Sequence, residues 1–172
     1  MEHVLILALS SLGALGCYRI NESIDTDADA DAGMDVATNC DDGHGRLDDK
    51  TGLCWQHPKA AGDLHNWQEA IDYCDKLSLG GHKDWRLPSK EELAWMLGGC
   101  DSGVLGGRWG YCNTCEDSAP CTALFGSDTV WYWSSSSPDD DSLAWYVNFA
   151  RGFVYRHNVS NYSSIRCVRS GP

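Results

Sequence analysis

Positive charge is scarce in this chain. Thirteen lysines and arginines stand against 25 aspartates and glutamates, a formal net charge of -12. That balance speaks against a nucleic-acid partner, because neutralising phosphates needs clustered Lys and Arg. It also removes any gain from anionic lipid headgroups. After the first sixteen residues no apolar run approaches the ~20 residues that a membrane-spanning helix needs. Catalytic motifs are missing as well. His44, His57, His65, His82 and His157 are scattered, with no two at metal-ligand spacing on a helix. The serines from Ser134 to Ser137 have no positioned His and Asp to activate them. No metal or cofactor is expected.

Cysteine, by contrast, is plentiful: nine residues in 172. Met1 to Gly16 reads as a secretory signal, with a short apolar run ending in small residues. Ala14-Leu15-Gly16-Cys17 is similar to a bacterial lipoprotein cleavage box, in which Cys17 is lipidated and becomes the new N-terminus. The expected location is the bacterial cell envelope, with the protein held to a membrane through that lipid. Eight cysteines then remain, an even number in a compartment where disulfides persist. Residues 17–39 read as an acidic disordered tether, because Asp25 to Gly33 is low-complexity and lacks apolar bulk. Its alternating aspartates do not form an EF-hand loop. Counted from Asp27, the sixth and twelfth positions hold Ala32 and Thr38, not Gly and Glu. Residues 40–172 make one domain carrying -6 of the charge.

Within that domain Leu53 to Gln56 reads as a short strand. Asn66 caps a helix whose apolar positions include Trp67, Ala70, Ile71, Cys74 and Leu77, ending at Leu79-Gly80-Gly81. Ser89 with Glu92 forms a capping box for a second helix, stopped by Gly98-Gly99. Cys100 to Asp128 has many glycines, four cysteines and little periodicity, so it is expected to be a long irregular loop. From Val130 the period changes to two. Strands follow at Trp131–Trp133, 143–149 and 153–159, the last two joined by a tight turn at Ala150-Arg151-Gly152. A final strand is expected over Ser163 to Arg169. The order defines an α+β fold with two helices and mostly antiparallel strands.

Six ordered blocks carry a family resemblance. They are Thr51-Gly52-Leu53 with Trp55-Gln56; Trp67, Ala70 and Tyr73-Cys74; Trp85-Arg86-Leu87-Pro88-Ser89 with Glu92-Leu93; Tyr132-Trp133-Ser134-Ser135-Ser136; Trp145, Val147 and Phe149; and Arg166-Cys167-Val168-Arg169. From about Gly43 to Arg169 the chain resembles the Lcl C-terminal domain family. The resemblance implies a C-type-lectin-like fold, in which the first and last elements meet. It also implies kinship of fold with formylglycine-generating enzymes, although Lys90 and Leu93 depart from the matching enzyme block. Calcium-lectin signatures are absent, Ser137-Pro138-Asp139 being the nearest segment. The function implied is non-catalytic binding or adhesion, to a glycan or protein ligand. An exported oxidase and a purely structural envelope protein are the alternatives.

Disulfides are favoured over a zinc site or a redox pair at Cys112-x2-Cys115. Cys40 and Cys54 are expected to pair across a short Gly- and Asp-rich segment. The family fold implies a second bridge, Cys74 to Cys167. Cys100, Cys112, Cys115 and Cys121 are left to form two bridges, with three connectivities open and Cys112–Cys115 the least attractive. Trp67, Trp85, Trp133 and Trp145 are expected in the core. Trp109 and Tyr111 are the candidates for an exposed binding surface, together with the turn at Pro138 to Ser142. The charge of -6 on the domain points to neutral or basic ligands.

Overall fold

A computed structural model describes residues 39–40, 43–58, 63–105, 107–126, 130–138 and 140–172. The expected signal, Cys17, the tether up to residue 38, Asp128 and Asp139 lie outside the described residues. Both expected helices start with reciprocal caps. In α1 (Trp67–Lys76) the Asn66 side chain accepts from the Glu69 N–H while the Glu69 carboxylate accepts from the Asn66 N–H. In α2 (Lys90–Leu97) Ser89 and Glu92 make the same exchange. Each cap satisfies backbone donors that a helix start would otherwise leave unpaired. α1 stops earlier than expected, at Lys76, with Leu77 extended. Gly80 and Gly81 serve a turn closed by Leu79 and His82 instead.

The four-stranded sheet holds β1 (Asn39–Cys40), β2 (Gly45–Asp48), β3 (Leu53–Gln56) and, at the far end of the chain, β10 (Val168–Ser170), in that order and antiparallel. β1 begins one residue inside the expected tether. The six-stranded sheet runs β4 (Leu64–His65), β9 (Ser163–Ser164), β6 (Trp131–Trp133), β7 (Leu143–Asn148), β8 (Phe153–Asn158), β5 (Gly110–Tyr111). Its pairs are antiparallel except β6 with β9. The expected final strand is therefore two strands in two sheets. Between them Arg166 is buried, donating to the carbonyls of Gln56 at 2.6 Å and Leu124 at 2.7 Å, with its guanidinium 3.8 Å from the Phe125 ring centre.

The expected irregular loop is more structured than its composition suggests. It contains α3 (Ser102–Leu105), the edge strand β5 and α4 (Ala119–Phe125), so the described residues form four helices where two were expected. Pro120 sits in the first turn of α4, where a missing N–H costs nothing.

β7 is covered on both faces, and this organises the interior. Trp145, Val147 and Phe149 join Tyr132, Val154 and the apolar side of α2 and α4 in one core. Ala144 and Tyr146 join Trp133, Trp85, Ile165 and the buried side of α1 in the other. Trp85, Trp133 and Trp145 are buried, and Trp67 is partly buried against the second core. The indoles of Trp67, Trp85 and Trp133 donate to the carbonyls of Ser134, Leu79 and His65. Four disulfides close the domain: Cys40–Cys54, Cys74–Cys167, Cys100–Cys112 and Cys115–Cys121. Among the described residues no helix is long and apolar enough to cross a membrane.

Candidate binding site

The site is built from the stretch that follows α2. The Cys100–Cys112 bridge draws its ends together. Inside the bridge one Asp101 carboxylate oxygen accepts from the Val104 N–H and the other from the Tyr111 N–H, each at 3.0 Å. The Asp101 N–H donates to the Tyr111 carbonyl at 2.9 Å. These donors, Tyr111 first and Val104 next, hold the Asp101 carboxyl below its ordinary range. The clasp sets β5 against β8, where Tyr111 meets Phe153 edge-on at 4.7 Å. It leaves Trp109 56% and Tyr111 52% exposed.

Trp109 stands where two concave surfaces meet. On one side of the sheet lies an aromatic shelf of about 470 Å³, formed by Trp109, Tyr111, Trp131, Tyr146, Phe153 and Tyr155. Trp131 stacks on Tyr146 at 4.5 Å, and His157 stacks on the same ring at 4.9 Å. On the other side lies a cleft of about 800 Å³ that includes Lys90, Arg108, Trp109, Pro138, Trp145 and Arg156. Lys90 is only 5% exposed. It pairs with Glu91, donates to the Val104 carbonyl at 3.3 Å, and lies 5.3 Å from the Trp145 ring centre. The Arg156 guanidinium is 5.7 Å from the same ring. Burial alone would raise the Glu91 carboxyl, but the bond from Lys90 and the neighbouring donors outweigh it and hold the group low.

The structure thus brings Trp109 together with Pro138 and Asp140 of the expected turn, and places Tyr111 on the shelf alone. The gathering of Lys90, Arg108 and Arg156 in the cleft, beside the carboxylates of Glu91 and Asp140, was not visible in the sequence, because the three cations are far apart along the chain. Period two in β8 was the available signal: it puts Tyr155 on the shelf side and Arg156 on the cleft side. Trp95, 56% exposed on α2, is a further surface aromatic.

Other candidate groups have structural partners. The buried Ser134 hydroxyl donates to the Trp145 carbonyl at 2.8 Å, and the Ser136 hydroxyl accepts from the Lys90 N–H at 3.1 Å. His65 pairs with Asp63 at 2.8 Å, and His157 meets Asn161 at 3.1 Å. Asp140 accepts from the N–H and hydroxyl of Ser142. Among the described residues no group of three His, Cys, Asp or Glu side chains is placed to hold a metal ion.

A disulfide-braced α+β domain with an exposed aromatic seam is the class that fold and site define. The Lcl C-terminal domain profile matches residues 46–169, and the chain belongs to that family. No curated protein matches the chain.

Proposed function

We propose that this chain is an exported cell-envelope lipoprotein whose domain is a non-catalytic binding or adhesion module, with its ligand seated around Trp109. The observation that carries the reading is the exposed Trp109 shared by the aromatic shelf and the charged cleft. Irregular segments fixed on a rigid scaffold commonly carry recognition. The C-type-lectin-like arrangement implied by the resemblance suits that role, since β10 returns beside β3 and joins the two ends of the domain away from Trp109 in the chain. The eight cysteines from Cys40 to Cys167 are all bridged. That favours a binding module over an oxidase of the formylglycine-generating kind, which needs reactive thiols.

The test is a glycan and envelope-protein binding screen on the wild type, followed by Trp109→Ala with Tyr111→Ala. Binding of whatever probe the screen returns should fall at least tenfold while the thermal midpoint stays put. Unchanged affinity would overturn the site. Anchoring is tested separately by Cys17→Ser, which should release the protein from membranes; continued membrane association would count against the lipid.

A further inference from the structure

We propose that the outer edge of β8 takes up an extended peptide as an added strand, and that the peptide alternates acidic with aromatic or aliphatic residues. The proposal rests on the Trp109 region being the binding surface and names the ligand class for it.

Hydrogen-bond phase comes first. In an antiparallel pair a strand's residues alternate between bonding one neighbour and facing the other. The Val159 N–H donates to the Ser142 carbonyl, and the Cys112 N–H donates to the Gly152 carbonyl. With the register of β8 against β7 and β5, this phase turns Phe153, Tyr155 and His157 toward β7, and Val154, Arg156 and Asn158 away from it. β5 pairs only with Phe153 and Val154. The Asn158 carbonyl accepts from the Asn161 N–H in the following turn. Among the described residues the N–H and C=O of Arg156 and the N–H of Asn158 therefore have no ladder partner. They form a short open edge beside Trp109.

Side chains decide what could occupy it. Residues directly opposite each other in a sheet share a face. An incoming residue opposite Arg156 would point into the cleft with Lys90, Arg108 and Arg156. The place opposite Tyr155 falls to Trp109, which adjoins Gly110 of β5. A residue opposite His157 would point to the shelf side, where His157 stacks on Tyr146. The pairing thus asks for an acidic residue beside an apolar one, with Trp109 as the apolar neighbour on the other side. Main-chain bonds would give affinity and the two surfaces would give selectivity. Lys90, Arg108 and Arg156 share the cleft with two carboxylates, Glu91 and Asp140. Lys90 is paired with Glu91, and the remaining excess of one positive charge, in a chain of net charge -12, supplies the charge complementarity. An edge arginine can also act as a guard against strand pairing, so the experiment separates the two roles.

The full chain is titrated, by tryptophan fluorescence, with the capped peptide Ser-Tyr-Glu-Tyr-Glu-Tyr-Ser. The comparisons are a peptide of the same composition with its glutamates adjacent, one N-methylated at both glutamate amides, and an acidic oligosaccharide. The alternating peptide is expected to bind at least tenfold more tightly than the other two peptides. Arg156→Glu, with an unchanged thermal midpoint, should weaken it at least tenfold and favour a lysine version of the peptide. Equal binding of alternating and N-methylated peptides would overturn strand addition. So would self-association of the Arg156→Glu variant with no wild-type peptide binding, since the arginine would then be a guard. Oligosaccharide binding lost in the Trp109→Ala, Tyr111→Ala variant, with no peptide binding, would overturn this proposal and leave the site in place. Any probe that binds with no response to that double variant would overturn the site itself.

Discussion

The hairpin of β7 and β8 and the stretch Cys100–Gly126 are neighbours through β5, yet they are held in different ways. The hairpin has six cross-strand pairs, and its central strand is buried on both faces. Its turn closes only because Gly152 has φ 67° and no side chain: a β-carbon there would collide with the Cys112 and Asn113 carbonyls. The Cys100–Gly126 stretch has one two-residue ladder, two short helices, two local disulfides and the Asp101 clasp. One region is ordered by burial and a continuous backbone ladder. The other is ordered by covalent bonds and single charged contacts. The candidate site has a wall from each, so its shape depends on both kinds of order.

If that contrast is right, cutting the bridge between distant elements should injure the whole domain, and cutting a local bridge should injure only the site. Cys74 and Cys167 are separated by 93 positions. Replacing both with Ala should cost about 4–5 kcal/mol in the chain-entropy description, read by denaturant unfolding. A much smaller loss would mean that the two cores hold the closure without it. Cys100 and Cys112 are 12 positions apart. Replacing both with Ser should lower global stability by no more than about 3 kcal/mol. Hydrogen exchange should show protection lost at the Val104 and Tyr111 amides and kept in β7. Equal loss in both regions would erase the distinction.

The smallest effect should come from α2, which supplies Lys90 to the cleft. Burial alone would raise the Glu92 carboxyl, but the two bonds from Arg86, at 2.6 and 2.7 Å, and the Ser89 N–H hold it below its ordinary value. A carboxyl lowered on folding contributes stability above its unfolded pKa and loses that contribution as pH falls through the folded value. Glu92→Gln should therefore cost about 0.5–1 kcal/mol at neutral pH. The gap from wild type should close in acid, as seen by thermal unfolding across a pH series. A gap that persists below the carboxylate range would assign the effect to packing.

Legibility in the sequence followed the range of the forces involved. The caps at Asn66 and Ser89 were readable because they join residues three apart. The hairpin was readable because period two and a Gly turn are local. α3 and α4 escaped because one or two turns leave no periodic trace. Their signals were single residues: Asp101 three positions before Val104, and Pro120 just after Ser118-Ala119. The break at Arg166 escaped because it answers to carbonyls on Gln56 and Leu124, far away in the chain. The charged cleft escaped for the same reason. Trp109 and Tyr111 stood out because they lie among glycines with no apolar pattern to bury them.

The disulfide connectivity also has a mechanical consequence. A pull on the chain at Asn39 can peel β1 from β2 only as far as Cys40, because the bridge then carries the load directly to Cys54 in β3. From there the shortest covalent route to the C-terminus runs along the chain to Cys74 and across to Cys167. Residues 75–166 hang outside that route. They include the hairpin, both short helices and every residue of the candidate site. Tension between the two ends of the domain would stretch residues 54–74 and leave the candidate site slack.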